Sequence, residues 1–174
     1  MDGFCGDDIK TYGELARCAI ERIVLYDVRA MISGPITTGG VASRGVTDPS
    51  EITRQNLEIF NCAIRYAQAV ADCSGGPNVW DQMPYEKVIT RLVDDEKSSP
   101  DYGGYPMRLL EEFYLPVFSA ANFAIVYMVP GWEHSTGATW EKERLEALGT
   151  RVEFLPDDFL LRAESFGIYP ITLR

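Results

Sequence analysis

Phe123-Ala124-Ile125-Val126-Tyr127-Met128-Val129 runs straight into Pro130-Gly131-Trp132-Glu133-His134-Ser135-Thr136-Gly137, and the fold turns on this stretch. Apolar residues without polar alternation suit a strand buried on both faces, as in the middle of a parallel sheet. Pro130 lacks an N–H and stops the ladder, while Gly131 permits a sharp turn. Beyond the turn, Ala138–Leu148 reads as a helix closed by Gly149 just past its end, and Arg151–Leu155 as a further strand.

The same alternation appears on the amino-terminal side. Tyr12–Ile23 has apolar residues at helical spacing and leads into Val24–Ser33, a run dense in Val, Ile and Met that reads as the first central strand. Gly34-Pro35 ends it, and Thr37-Thr38-Gly39-Gly40 is a loop at the sheet's carboxyl edge. Asp48-Pro49-Ser50 with Glu51 signals a helix start, and Ile52–Ala71 repeats apolar residues along one helical face until Ser74-Gly75-Gly76-Pro77. Asn78–Asp81 fits a short strand, Tyr85–Val93 a helix, Asp94–Gly104 an exposed loop, and Met107–Ala121 a helix interrupted at Pro116. Strands alternating with helices imply right-handed crossovers. The expectation is an α/β protein: a single domain over residues 1–174 with a mostly parallel, doubly wound sheet and flanking helices, Rossmann-like or flavodoxin-like. Residues 1–26 form an N-terminal helical extension.

Composition narrows the function classes. The net charge of −10, one His and the lack of a Lys/Arg run argue against a nucleic-acid polymer as partner, because phosphate backbones are bound by clustered cations. Cys5, Cys18, Cys62 and Cys73 have no CxxC spacing, so neither a zinc site nor a disulfide framework is indicated, and a reducing cytoplasm fits best. No stretch approaches the roughly 20 apolar residues of a membrane span, and the acidic start lacks the pattern of a signal peptide.

Ligands of open α/β sheets bind beyond the carboxyl ends of the strands. Two loops qualify. The small residues of Gly34–Gly40 suit either close backbone approach to a ligand or a tight turn. In the second loop, Ser135 or Thr136 can cap the next helix, whose free N–H groups would favour an anion. Glu141 follows, either complementing the helix dipole or serving chemistry; Glu143 faces away. Trp132 and Trp140 can stack on a base or pack locally, and His134 is a lone loop imidazole that indicates no metal site.

Ile32-Ser33-Gly34-Pro35-Ile36 and Pro130-Gly131-Trp132-Glu133-x-Ser135-x-Gly137-Ala138-x-x-Glu141 together resemble the nucleoside 2-deoxyribosyltransferase superfamily, nearest to its branch with a PGWExSxGA string. The likeness spans roughly Ala30–Leu155 and implies no cofactor. It implies Glu141 as the nucleophile at the anomeric carbon of a nucleotide or nucleoside, with displacement by water or by a second base. Where the nucleoside transferases of the superfamily carry Asp, six residues before that Glu, the monophosphate N-glycosidases carry Ser. Ser135 occupies the position here, which favours a 5′-monophosphate. The substrate-binding set implied is Ser33, Gly34, Pro35, Ile36, Gly39, Gly40, Trp132, Ser135, Thr136 and Gly137, and Arg44, just past the first loop, can add a cation or remain solvated. One departure is clear: Met107–Asn122 lacks the Asp usual in the superfamily, leaving Glu111, Glu112 and Tyr114, of which Tyr114 can hydrogen-bond a base. A nucleotide N-glycosidase is the leading expectation; base exchange and non-catalytic nucleotide binding are the alternatives. Sites of this superfamily are commonly completed by a neighbouring subunit, which implies a homodimer or higher homo-oligomer, and the apolar Phe159–Leu173 can be an interface or a last packed helix and strand.

Overall fold

The computed structural model describes residues 8–37 and 39–169, so Cys5, Thr38 and the end of the Phe159–Leu173 segment lie outside the described residues. In chain order the elements are α1 (Tyr12–Leu25), β1 (Val28–Ser33), α2 (Pro49–Ser74), β2 (Asn78–Val79), α3 (Glu86–Lys97), α4 (Leu115–Ala121), β3 (Ile125–Met128), α5 (Thr136–Ala147), β4 (Arg151–Phe154) and α6 (Phe159–Glu164). Contacts divide the chain into two compact units: the segment ending at Asp27 groups with Asp81–Asn122, and Val28–Trp80 groups with the segment from Phe123 onward.

The first unit is helical. Thr11 and Glu14 form a capping box, Thr11 Oγ1 accepting from the Glu14 N–H and Glu14 Oε2 from the Thr11 N–H, so α1 starts where its first free donors are satisfied. Its buried face, with Leu15, Ala19 and Ile23, packs against α4 and the turn before it. That turn, Leu109–Tyr114, is π-helical, and the Leu115 N–H reaches the Leu110 carbonyl five residues back. The interruption expected at Pro116 is thus a widened turn ahead of the proline, whose ring and missing N–H fit the first turn of α4. Tyr85, Phe113, Tyr114 and Phe118 form its aromatic core.

The second unit carries the sheet, all parallel and ordered β2-β1-β3-β4. The expected α/β class with a parallel sheet and flanking helices is therefore the observed one. The register sets Ser33 beside Met128, and Met128 beside Phe154, so three strands end level. Ala30, Met31 and Ile32 of β1 and Ile125, Val126 and Met128 of β3 are at most 2% exposed, as central strands covered on both faces require. On α2, Asp48 accepts from the Glu51 N–H at 2.8 Å and Gly75 ends the helix in the left-handed region, so both expected end signals act. α6 packs on α2, where Cys62, Ala163 and Ile168 form a small buried cluster with Tyr66.

Several boundaries need correction. Val24 and Leu25 belong to the end of α1, not to β1, and are 67% and 72% exposed; the chain turns at Asp27 with φ 46° before the strand begins. The loop expected from Asp94 begins only after Lys97, because α3 continues for another turn. β2 is limited to Asn78–Val79, and α5 begins at Thr136, so Gly137 is helical. Cys18 is disulfide-bonded, correcting the reading that no disulfide is indicated, whereas Cys62 and Cys73 are free thiols. No helix among the described residues is long and apolar enough to cross a membrane.

Candidate functional site

From β1 the chain leaves toward β2 on one side, and from β3 toward β4 on the other, so the strand order reverses between β1 and β3. A crevice forms at such a point because the two connections diverge. The loops singled out in the sequence are the ones that follow these two strands, and they meet above it.

Their glycines are used where the backbones touch. A Cβ on Gly34 would stand 2.7 Å from the Val129 Cβ, and one on Gly39 would stand 2.9 Å from the His134 carbonyl. Gly131, at φ 89°, lies against the Gly40 backbone. The first loop is fastened from below by Asn56 of α2, 2% exposed, whose Oδ1 accepts from the Val41 N–H at 3.0 Å. Its Nδ2 donates to the carbonyls of Ile36 at 3.1 Å and Gly39 at 3.5 Å. Sequence reading passed over Asn56. The available signal was an amide on the otherwise apolar face it shares with Ile59, Phe60 and Ala63.

On the α5 side, Ser135 is buried and its Oγ accepts from the Ala138 N–H at 3.3 Å, making it the helix cap and leaving the hydroxyl hydrogen to donate elsewhere. Glu141 lies in the second turn, and because helical side chains lean toward the N-terminus its carboxylate reaches back to the end of β1. Ser33 Oγ donates to Glu141 Oε2 at 2.6 Å, with Ser33 fully buried and Glu141 9% exposed. Burial pushes the Glu141 carboxyl up from 4.5 to about 7; the Ser33 hydroxyl opposes this by stabilising the charged form. A carboxylate held at that value is partly ionised at neutral pH and can act as nucleophile, base or acid.

The remaining expected residues fall in separate places. Arg44 is exposed and lines a cavity of ≈ 60 Å³ with Pro35, Gly40, Asn56, Pro130 and Asp157, on the α2 and α6 side of the loops. Glu133, His134, Ser135, Thr136, Trp140 and Glu143 line a shallow depression at the start of α5, so Glu143 faces this mouth and not away from it as expected. Trp132 packs on Phe154 at 5.8 Å between ring centroids, and Lys142 Nζ lies 5.5 Å above its ring. Tyr114 belongs to the helical unit, its ring 4.8 Å from that of Phe113. Among the described residues no group of three or more His, Cys, Asp or Glu could hold a metal ion. Phe159 and Ala163 are buried against α2, which fits a packed helix at the start of the C-terminal segment. No known family, curated protein or solved structure matches the chain.

Proposed function

We propose that the protein is an N-glycosidase of (deoxy)nucleoside 5′-monophosphates, with Glu141 as nucleophile. The observation that carries the reading is the Glu141 carboxyl itself: buried, hydrogen-bonded to Ser33 at 2.6 Å, and placed at the carboxyl end of β1 where the strand order reverses. A buried carboxyl supported by one side-chain hydrogen bond costs stability that a solvated dipole partner would not, which favours a chemical role. The resemblance to the nucleoside 2-deoxyribosyltransferase superfamily supplies the reaction.

In that reaction the ionised Glu141 forms a bond to the anomeric carbon while the carbon–nitrogen bond to the base breaks, the electron pair leaving with the base. Water then displaces the carboxylate and releases the sugar phosphate. Ser33 holds Glu141 in position and biases it toward the ionised form. Ser135 and the first N–H groups of α5 receive the phosphate, and the glycines that follow β1 lie along the sugar.

Incubation with a panel of nucleosides and nucleoside monophosphates, followed by chromatography for free base, tests the proposal. Release from monophosphates and its loss in Glu141→Gln are expected; no release from any compound, or release undiminished in the variant, overturns it. A non-catalytic nucleotide-binding role is favoured by one observation, the carboxyl raised to about 7, which keeps much of Glu141 neutral. Thermal stabilisation by a nucleotide recovered intact would select that role.

A further inference from the structure

The two edges of the sheet are treated differently. At the β2 edge, strand pairing is confined to two residues and the Val79 N–H is taken by Gln68 Oε1 of α2 at 2.8 Å. At the β4 edge, no strand pairs on the outer side among the described residues. The Arg151 N–H donates to the Ala124 carbonyl at 3.1 Å and the Leu155 N–H to the Met128 carbonyl at 2.9 Å. By the two-residue period of a parallel ladder, residues 151, 153 and 155 direct their backbone groups to β3, and Val152 and Phe154 direct theirs outward. An open row of donors and acceptors invites another strand. Phe154, 57% exposed, and Leu148, 48% exposed at the end of α5, add apolar surface there.

We propose that the β4 edge pairs antiparallel with β4 of a second copy of this chain, in the two-fold register centred on Val152. Only registers that set outward residues against outward residues are available, and side-chain chemistry separates them. Centred on Val152, the pairing sets Arg151 opposite Glu153 of the second copy twice over, and Phe154 opposite Thr150, whose N–H is already given to the Leu145 carbonyl at 2.9 Å. Arg151 and Glu153 already share a face, with a 3.1 Å ion pair along the strand and side chains 70% and 45% exposed, so both are placed to reach across the seam. A register centred on Glu153 would set like charges face to face at the shortest cross-strand distance. One centred on Phe154 would carry the pairing past the end of β4, setting Val152 opposite Pro156 and Glu153 opposite Leu155, and would lose both Arg151–Glu153 matches. The Val152 register is therefore self-complementary in charge and in the outward backbone groups of Val152, as an isologous interface requires.

Sedimentation equilibrium of the full chain reads the assembly, and engineered thiols read the register. The expected result is a concentration-dependent species of twice the 19.5 kDa chain mass. Arg151→Glu should raise its dissociation constant at least tenfold, and Arg151→Glu with Glu153→Arg should restore it. Under mild oxidation Val152→Cys should give a disulfide-linked dimer absent from the parent chain, because an opposed hydrogen-bonded pair stands at disulfide distance. Phe154→Cys should not. A chain that stays monomeric at several hundred micromolar, a dimer indifferent to Arg151→Glu, or equal cross-linking through Phe154→Cys would overturn the proposal.

Discussion

Among the polar side chains buried beneath the loops of this sheet, Asn56 and Glu141 are satisfied to different degrees. Asn56 makes three hydrogen bonds to the backbone of one loop, using its oxygen and its amide nitrogen. Glu141 has one, from Ser33 to a single carboxylate oxygen. A neutral amide with its partners in place fastens structure at little net cost. A carboxyl with one partner in a water-poor setting is a liability to the fold, retained where its reactivity is used. The contrast separates a structural fastener from a candidate reactive group.

The largest expected effect is on turnover. Glu141→Gln keeps the shape of the side chain and removes the proposed nucleophile, so base release should fall by roughly a thousandfold or more, measured with the best substrate of the panel. The same variant should be more stable. A carboxyl whose pKa rises on folding, here from 4.5 to about 7, binds its proton in the native state over a range where the unfolded chain has lost it. Native stability therefore falls as pH climbs through that range and levels above pH 7, a cost of about 3 kcal/mol for the native protein. Glu141→Gln should recover up to that amount at pH 8 and nothing at pH 4, in denaturant titrations at the two values.

Asn56→Leu should do the reverse, destabilising the fold by about 2 kcal/mol at every pH by leaving the Val41 N–H and two carbonyls without their partner. A pH-dependent loss would erase the distinction between the two side chains. Gly34→Ala should cost about 1 to 2 kcal/mol, since its Cβ would overlap Val129, and chemical denaturation would show it. The smallest effect is expected for Ser33→Ala, about 1 kcal/mol in stability. Its sharper readout is an alkaline shift of the pH–rate profile, because the bond that favours the ionised carboxyl is gone.

Much of the fold could be read along the chain because its signals are local. The Asp48 cap, the Gly75 stop and the apolar run ending at Met128 each act through neighbours a few residues away. Val24 and Leu25 close α1 although they are as apolar as the strand that follows, because apolar composition alone does not separate the end of a helix from the start of a strand. Only the left-handed turn at Asp27 divides them, and Asp is among the residues that adopt it without declaring so. At the site, Glu141, Ser135 and the two glycine loops could be picked out by residue type. What surrounds them could not. Asn56 signalled only that an amide sat on an apolar face, and its partners are 15 to 20 residues away.

The sequence by itself determined an acidic chain with parallel-sheet strands, helices between them, and an acid beyond a turn whose Ser135 caps the next helix. Those properties follow from residue chemistry at short range, through periodicity, caps and turn residues. Tertiary structure alone brought Glu141 to Ser33 across a separation of 108 residues, interlocked two glycine loops, and left β4 rather than β2 as the open edge. Such outcomes depend on which strands lie side by side. That order is set by the burial of the whole core and the handedness of its crossovers, which no local window contains.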